Sequence, residues 1–140
     1  MVTIGTGDKI FSSGFDLKYW MADFHNNMMP SLLKFCQLMA RLYEFPIPTM
    51  CVINGTAVAG GYFLSICHDF RIMHETRGNI CLSELKLGLP IPAPYIEVIT
   101  AKLEPEVVTK LSYAVTIKSP EALKDHLIDS TYTNQDDLKA

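Results

Sequence analysis

The chain has 140 residues, with 12 Lys and Arg against 15 Asp and Glu, for a formal net charge of −3. That length holds one domain. Hydrophobic residues at 49% against charged residues at 19% supply a core and exclude a disordered chain. The mild acidity leaves no electrostatic footprint for nucleic acid, and no apolar run approaches the ~20 residues that a membrane-spanning helix needs. Few charges with a positive mean hydropathy point to apolar surface that a partner covers.

In chain order, Met1-Val2-Thr3-Ile4 predicts a strand and Gly5-Thr6-Gly7-Asp8 a tight turn. A short apolar patch and a second turn, Phe11-Ser12-Ser13-Gly14, follow. Residues 15–27 are rich in aromatics but show no clean period. Over 30–43, Leu32, Phe35, Met39 and Leu42/Tyr43 recur at three and four, and Pro30 suits the first turn of a helix. Pro46 and Pro48 end it. Residues 49–53 form a continuous apolar run, the pattern of a strand buried on both faces. A buried helix is expected over 62–67, strands over 70–73 and 80–82, and helices over 94–103, 105–115 and 119–127. This is α/β grammar.

Cys36, Cys51, Cys67 and Cys81 stand singly in apolar segments and are expected to be reduced, buried small hydrophobes of an intracellular protein. The four histidines have no ligand spacing, so no metal is expected. No secretory pattern opens the chain, and Leu138-Lys139-Ala140 is not a peroxisomal S-K-L address. The chain opens directly in a strand, which reads as part of a larger fold.

Three segments can carry chemistry. In Asn54-Gly55-Thr56-Ala57-Val58-Ala59-Gly60-Gly61, glycines between a strand and a helix permit close approach of a ligand to backbone N–H groups, which suit an anion or developing oxyanion. The same glycines could serve only close strand–helix packing. The segment is neither a P-loop nor a dinucleotide fingerprint. Phe11-Ser12-Ser13-Gly14-Phe15-Asp16-Leu17 is a turn leaving a strand, and Asp16 could simply bond local backbone. In Leu82-Ser83-Glu84-Leu85-Lys86-Leu87-Gly88, Glu84 is flanked by leucines. Either it points to solvent or it is a desolvated base with a raised pKa.

The order and spacing of these segments resemble the crotonase superfamily, the enoyl-CoA hydratase/isomerases. The family's F-[SC]-[AS]-G-x-D-[LI] turn matches residues 11–17, and its P-x-I-A-x-[VI]-N-G-x-A-x-G-G-G stretch matches residues 48–61, with Ala59 in place of the first glycine of the run. Ile66-Cys67-His68-Asp69-Phe70-Arg71-Ile72 matches the helix end and strand that follow. Residues 122–129 echo A-x-x-x-G-L-[IV]-D, with His126 at the glycine. Leu82 to Gly88, followed by Pro92-Ala93-Pro94-Tyr95, is most similar to the Δ3-Δ2-enoyl-CoA isomerases.

The resemblance implies an α/β fold, a crotonase-like spiral of β-β-α units incomplete at both termini, with residues 1–140 forming one partial domain. It implies an oxyanion hole from the backbone N–H groups of Phe15 and Gly60, substrate contacts at Gly14, Asp16, Gly61 and Phe63, and Glu84 as the catalytic residue. Hydratases use two glutamates on a water, and the first falls here on Phe63, which cannot orient or deprotonate water. The single Glu84 suffices for a 1,3-proton shift on a 3-enoyl thioester, as in fatty-acid β-oxidation. No cofactor is implied beyond coenzyme A as part of the acyl-CoA substrate, and no nucleic acid or membrane span. The missing ends imply a homo-trimer or a larger complex. The family points to mitochondrion or peroxisome. The rival expectation is a non-catalytic crotonase-derived subunit of an assembly.

Overall fold

Short strands at the sequence's apolar runs are shared between two sheets in a computed structural model that describes residues 1–134 and 136–138. Lys139 and Ala140, the end of the tripeptide weighed as an address, lie outside the described residues. The first sheet has the order β1 (Val2–Ile4), β3 (Met50–Ile53), β5 (Phe70–His74), β8 (Ser130–Tyr132), all parallel. The second runs β2 (Ile10–Ser12), β4 (Thr56–Val58), β6 (Asn79–Cys81) in parallel and closes with β7 (Ile117–Lys118) antiparallel to β6. Successive strand pairs therefore place one strand in each sheet: β1 then β2, β3 then β4, β5 then β6. That alternation is the spiral.

Between the pairs run the helices α1 (Leu17–Ala22), α2 (Phe24–Tyr43), α3 (Gly60–Ile66), α4 (Ala93–Lys102), α5 (Pro105–Ser112) and α6 (Ser119–Lys124). The continuous run of β3 is buried on both faces, as a central parallel strand requires. Ile53, Phe63, Ile66, Met73, Ile80, Ile99 and Leu111 join one core between the sheets and the helices. Polar groups fix the seams. The Asn54 amide accepts from Gly5 N at 3.0 Å and donates to Gly5 O and Gly7 O, closing the β1–β2 turn. Buried Arg71 donates to Leu127 O at 2.9 Å and His68 O at 3.1 Å, which ties α3's end to the approach to β8.

Several expectations shift. The aperiodic residues 15–27 form α1 and the start of α2, so Pro30 lies inside a helix and not in its first turn. The helix expected over 62–67 starts at Gly60, and that over 119–127 ends at Lys124. The strands β2, β4, β7 and β8 are two or three residues each, too short to show a period. Cys51, Cys67 and Cys81 are buried but Cys36 is only half-buried. Among the described residues no helix is long and apolar enough to cross a membrane, and no group of His, Cys, Asp and Glu could hold a metal ion.

Candidate active site

Glu84 follows β6 and opens a 3-10 turn over Leu85–Leu87, its carbonyl accepting from Leu87 N and Leu89 N at 3.0 Å each. Gly88 at φ +66° ends the turn. This compact loop points the Glu84 side chain inward: its Oε2 is buried and has no hydrogen-bond partner among the described residues. Burial pushes the carboxyl pKa above the usual range, against an opposing hydrogen bond from its own backbone. Of the two orientations left open by the sequence, Glu84 Oε2 lies in the interior and not in solvent.

Across from it two loops meet. Gly14 adopts φ +84°, and a Cβ there would stand 3.0 Å from Gly60 N and 3.2 Å from Val58 O. Only glycine lets the β2–α1 turn lie on the start of α3 in this way. A Cβ at Gly61 would lie 2.3 Å from Ser12 O, so that position also serves the contact between α3 and β2. Neither the Phe15 nor the Gly60 amide donates to a backbone or side-chain acceptor among the described residues. Both residues, with Glu84, line one cavity of about 670 Å³.

The other residues singled out from the sequence lie around this cavity and not in its wall. Asp16 caps α1, its Oδ1 accepting from Lys18 N at 2.9 Å and Tyr19 N at 3.1 Å. Phe63 is wholly buried beneath Tyr95, the ring centroids 4.8 Å apart, so Tyr95 is the aromatic that faces the cavity. The physical reason is register: Phe63 sits on the core side of α3, and α4 covers it.

The sequence reading missed the apolar wall. Phe24, Met28, Leu32 and Cys36 stand at four-residue intervals along α2 and line the cavity, joined by Leu17 and Trp20 from α1. The i, i+4 stripe is the available signal, and a helix start at Pro30 hides it by cutting off Phe24 and Met28. The Phe15 ring packs on Trp20 at 4.6 Å and edge-on to Phe35 at 5.2 Å, which anchors the turn bearing the Phe15 amide. Tyr95 OH, like Glu84 Oε2, is buried without a partner. Each buried polar atom left unbonded carries a cost of about 1–3 kcal/mol, which a ligand or water that bonds it removes.

A two-sheet spiral with these loops around one cavity is the crotonase fold, as in its solved neighbours. The chain belongs to the enoyl-CoA hydratase/isomerase family, whose model matches residues 1–139. It is 31% identical over 135 residues to Enoyl-CoA delta isomerase 3 of Arabidopsis thaliana, covering 93% of this chain and 56% of the relative. Peroxisomal Enoyl-CoA delta isomerase 2 of the same plant is 29% identical over 137 residues, covering 93% and 57%. The crystal structure of a probable enoyl-CoA hydratase from Mycobacterium tuberculosis H37Rv superposes with a TM-score of 0.87 at 29% identity, covering 94% of this chain and 55% of that one. The chain thus spans a little over half the length of the relatives it matches.

Proposed function

We propose that this chain contributes the site of a Δ3-Δ2-enoyl-CoA isomerase, converting 3-enoyl-CoA to 2-enoyl-CoA with Glu84 as the single acid/base. The observation that carries the reading is the buried, unpartnered Glu84 Oε2 in an apolar cavity whose wall also contains Phe15 and Gly60. The thioester carbonyl accepts from the Phe15 and Gly60 amides. Glu84 removes the C2 proton, the electron pair moves into a dienolate held by those amides, and the same carboxyl returns the proton at C4. Gly14 and Gly61 hold the two loops together, and Asp16 fixes the first loop through its cap. Phe63, at the position of the first hydratase glutamate, leaves no second carboxylate to split a water.

The substrate is an acyl-CoA thioester, with no cofactor beyond its coenzyme A. The names of two relatives as peroxisomal isomerases support a peroxisomal place, with the mitochondrion the other compartment the family resemblance allows. A homo-trimer or larger assembly fits the exposed apolar surface. The desolvated carboxyl disfavours the non-catalytic reading, since an idle scaffold has no use for it. The test is turnover of 3-enoyl-CoA by the full chain, followed as the conjugated product absorbs. Glu84→Gln is expected to lose roughly 10²–10⁴-fold in kcat. Undiminished turnover in that variant overturns the assignment.

A further inference from the structure

We propose that the Tyr95 hydroxyl is the positioning group for Glu84: it donates to one oxygen of the ionised carboxylate and leaves the other to handle the proton. The inference deepens the proton-shift reading and rests on it.

Among the described residues, the titratable groups in the cavity wall are Cys36 from α2, Glu84 after β6 and Tyr95 from α4; no Lys, Arg, His or Asp lines it. Lys86, two residues beyond Glu84, is exposed and outside the wall. An ionised Glu84 therefore has no cation in the cavity and must take a neutral donor. Ser13 is exposed and Ser83 only half-buried, so water serves their hydroxyls. Tyr95 differs. It is 3% exposed, its OH has the weakly accepting Cys36 thiol beside it but no partner at hydrogen-bond geometry among the described residues, and the orphaned Glu84 Oε2 belongs to the same wall. Burial first, then the Cys36 thiol and the Glu84 charge, push the Tyr95 pKa up, so the hydroxyl keeps its proton and remains a donor.

The ring is also held. Its centroid lies 5.6 Å from Phe35 in an edge-on contact and 4.8 Å from Phe63, so the hydroxyl is aimed by packing. The two orphaned atoms do not bond each other in the ligand-free chain. The pairing requires a turn of the Glu84 side chain, or one bridging water in the cavity of about 670 Å³. In the 1,3-shift the C2–H bond breaks, its proton passes to Glu84, and the same proton forms the C4–H bond while the pair returns from the oxyanion. A carboxyl with Oε2 held presents the other oxygen as one base to both carbons. Donation to the carboxylate also favours its charged form and so opposes the upward push of burial.

Tyr95→Phe removes the hydroxyl and keeps the ring. Tyr62→Phe is the control, since Tyr62 OH is equally buried and unpartnered but lies outside the cavity wall. The first readout is an isotope-edited infrared titration of the Glu84 carboxyl in the full chain, assigned by its disappearance in Glu84→Gln. The midpoint is expected to rise by about half a unit or more in Tyr95→Phe and to stay put in Tyr62→Phe. The second is turnover of 3-enoyl-CoA: kcat falls roughly tenfold at near-constant KM, and the acid limb of the pH profile moves upward. A midpoint that moves in a chain without turnover supports the pairing and sinks the isomerase reading. Turnover with midpoint and acid limb unmoved, or moved equally by Tyr62→Phe, overturns the pairing and leaves the isomerase reading standing.

Discussion

Ala59 holds φ 52° and ψ −123° where the family pattern has glycine, immediately before the Gly60 amide. An L side chain in that region costs about 1–3 kcal/mol. His126 repeats the situation at φ 55°, as the C′ residue that ends α6. There Leu127 N donates to Ala122 O at 2.8 Å and His126 N to Leu123 O at 3.2 Å, a Schellman pair that demands the left-handed conformation. The sequence shows both departures from glycine; what it does not show is that the backbone stays unchanged under the wrong side chain. Ala59→Gly and His126→Gly are each expected to raise unfolding free energy by about 1 kcal/mol, after allowance for the looser unfolded chain. Denaturant midpoints check this, and a loss of stability at either site contradicts the strain. Glu84 makes a third residue-scale case. Its folded pKa is raised by burial, so the folded state binds a proton more tightly than the unfolded chain. The contribution of Glu84 to stability is then greatest below the unfolded value of 4.5 and is lost as pH rises through the folded one. Glu84→Gln is expected to flatten that decline in thermal melts run from pH 4 to 8, while turnover follows the opposite course and fades as pH falls through the same window.

Among the elements, α2 departs most from its sequence. Pro30 lacks the N–H that would reach Asn26 O, yet the helix runs through it from Phe24 to Tyr43. The start is secured upstream, where the Asp23 carboxylate accepts from Asn26 N at 3.2 Å and Asn26 Nδ2 at 2.8 Å. Asn27 Nδ2 then ties the helix to Tyr19 O at 2.7 Å, and Ser31 Oγ bonds Asn27 O at 2.6 Å beside the proline. A proline suits a first turn, but here the start is set seven residues earlier by the Asp23 cap. Tertiary packing decides the matter, because the segment before Pro30 carries Phe24 and Met28 of the cavity wall. Pro30 itself is exposed. Pro30→Ala is expected to restore the missing bond and stabilise the chain by about 1–3 kcal/mol. Any shift of the Met28–Leu32 wall as the new bond forms is expected to appear as weaker binding of a 3-enoyl-CoA. Calorimetry and KM read the two effects separately. A destabilised Pro30→Ala would mean that the proline ring contributes packing that outweighs the missing bond.

For the whole molecule, the central strands and the glycine run were legible because β3 is buried on both faces and the Asn54-Gly55 and Gly60-Gly61 steps sit where loops must approach closely. Of the second sheet only β6, expected over 80–82, was legible. The sheet's strands pair across long separations, β2 with β4 and β6 with β7, through three residues or fewer a side, and no local period survives at that length. The consequence of this architecture lies at the sheet edges. β1 and β2 each end their sheet, and their outward residues are apolar: Val2 is 63% exposed, Ile4 54% and Ile10 56%. An open apolar edge with unpaired N–H and C=O groups is a template for another strand, and a net charge of −3 opposes association only weakly. The full chain is therefore expected to self-associate, its sedimentation coefficient rising with concentration. Ile4→Lys with Ile10→Lys places a charge on each edge. Because both side chains are more than half exposed, the melting transition is expected to stay close to that of the parent chain, while the monomer fraction rises at every concentration. A parent chain that sediments as a monomer across the range, or a doubly charged variant that associates as before, would move the sticky surface away from these edges and onto the exposed face of α1 and α2.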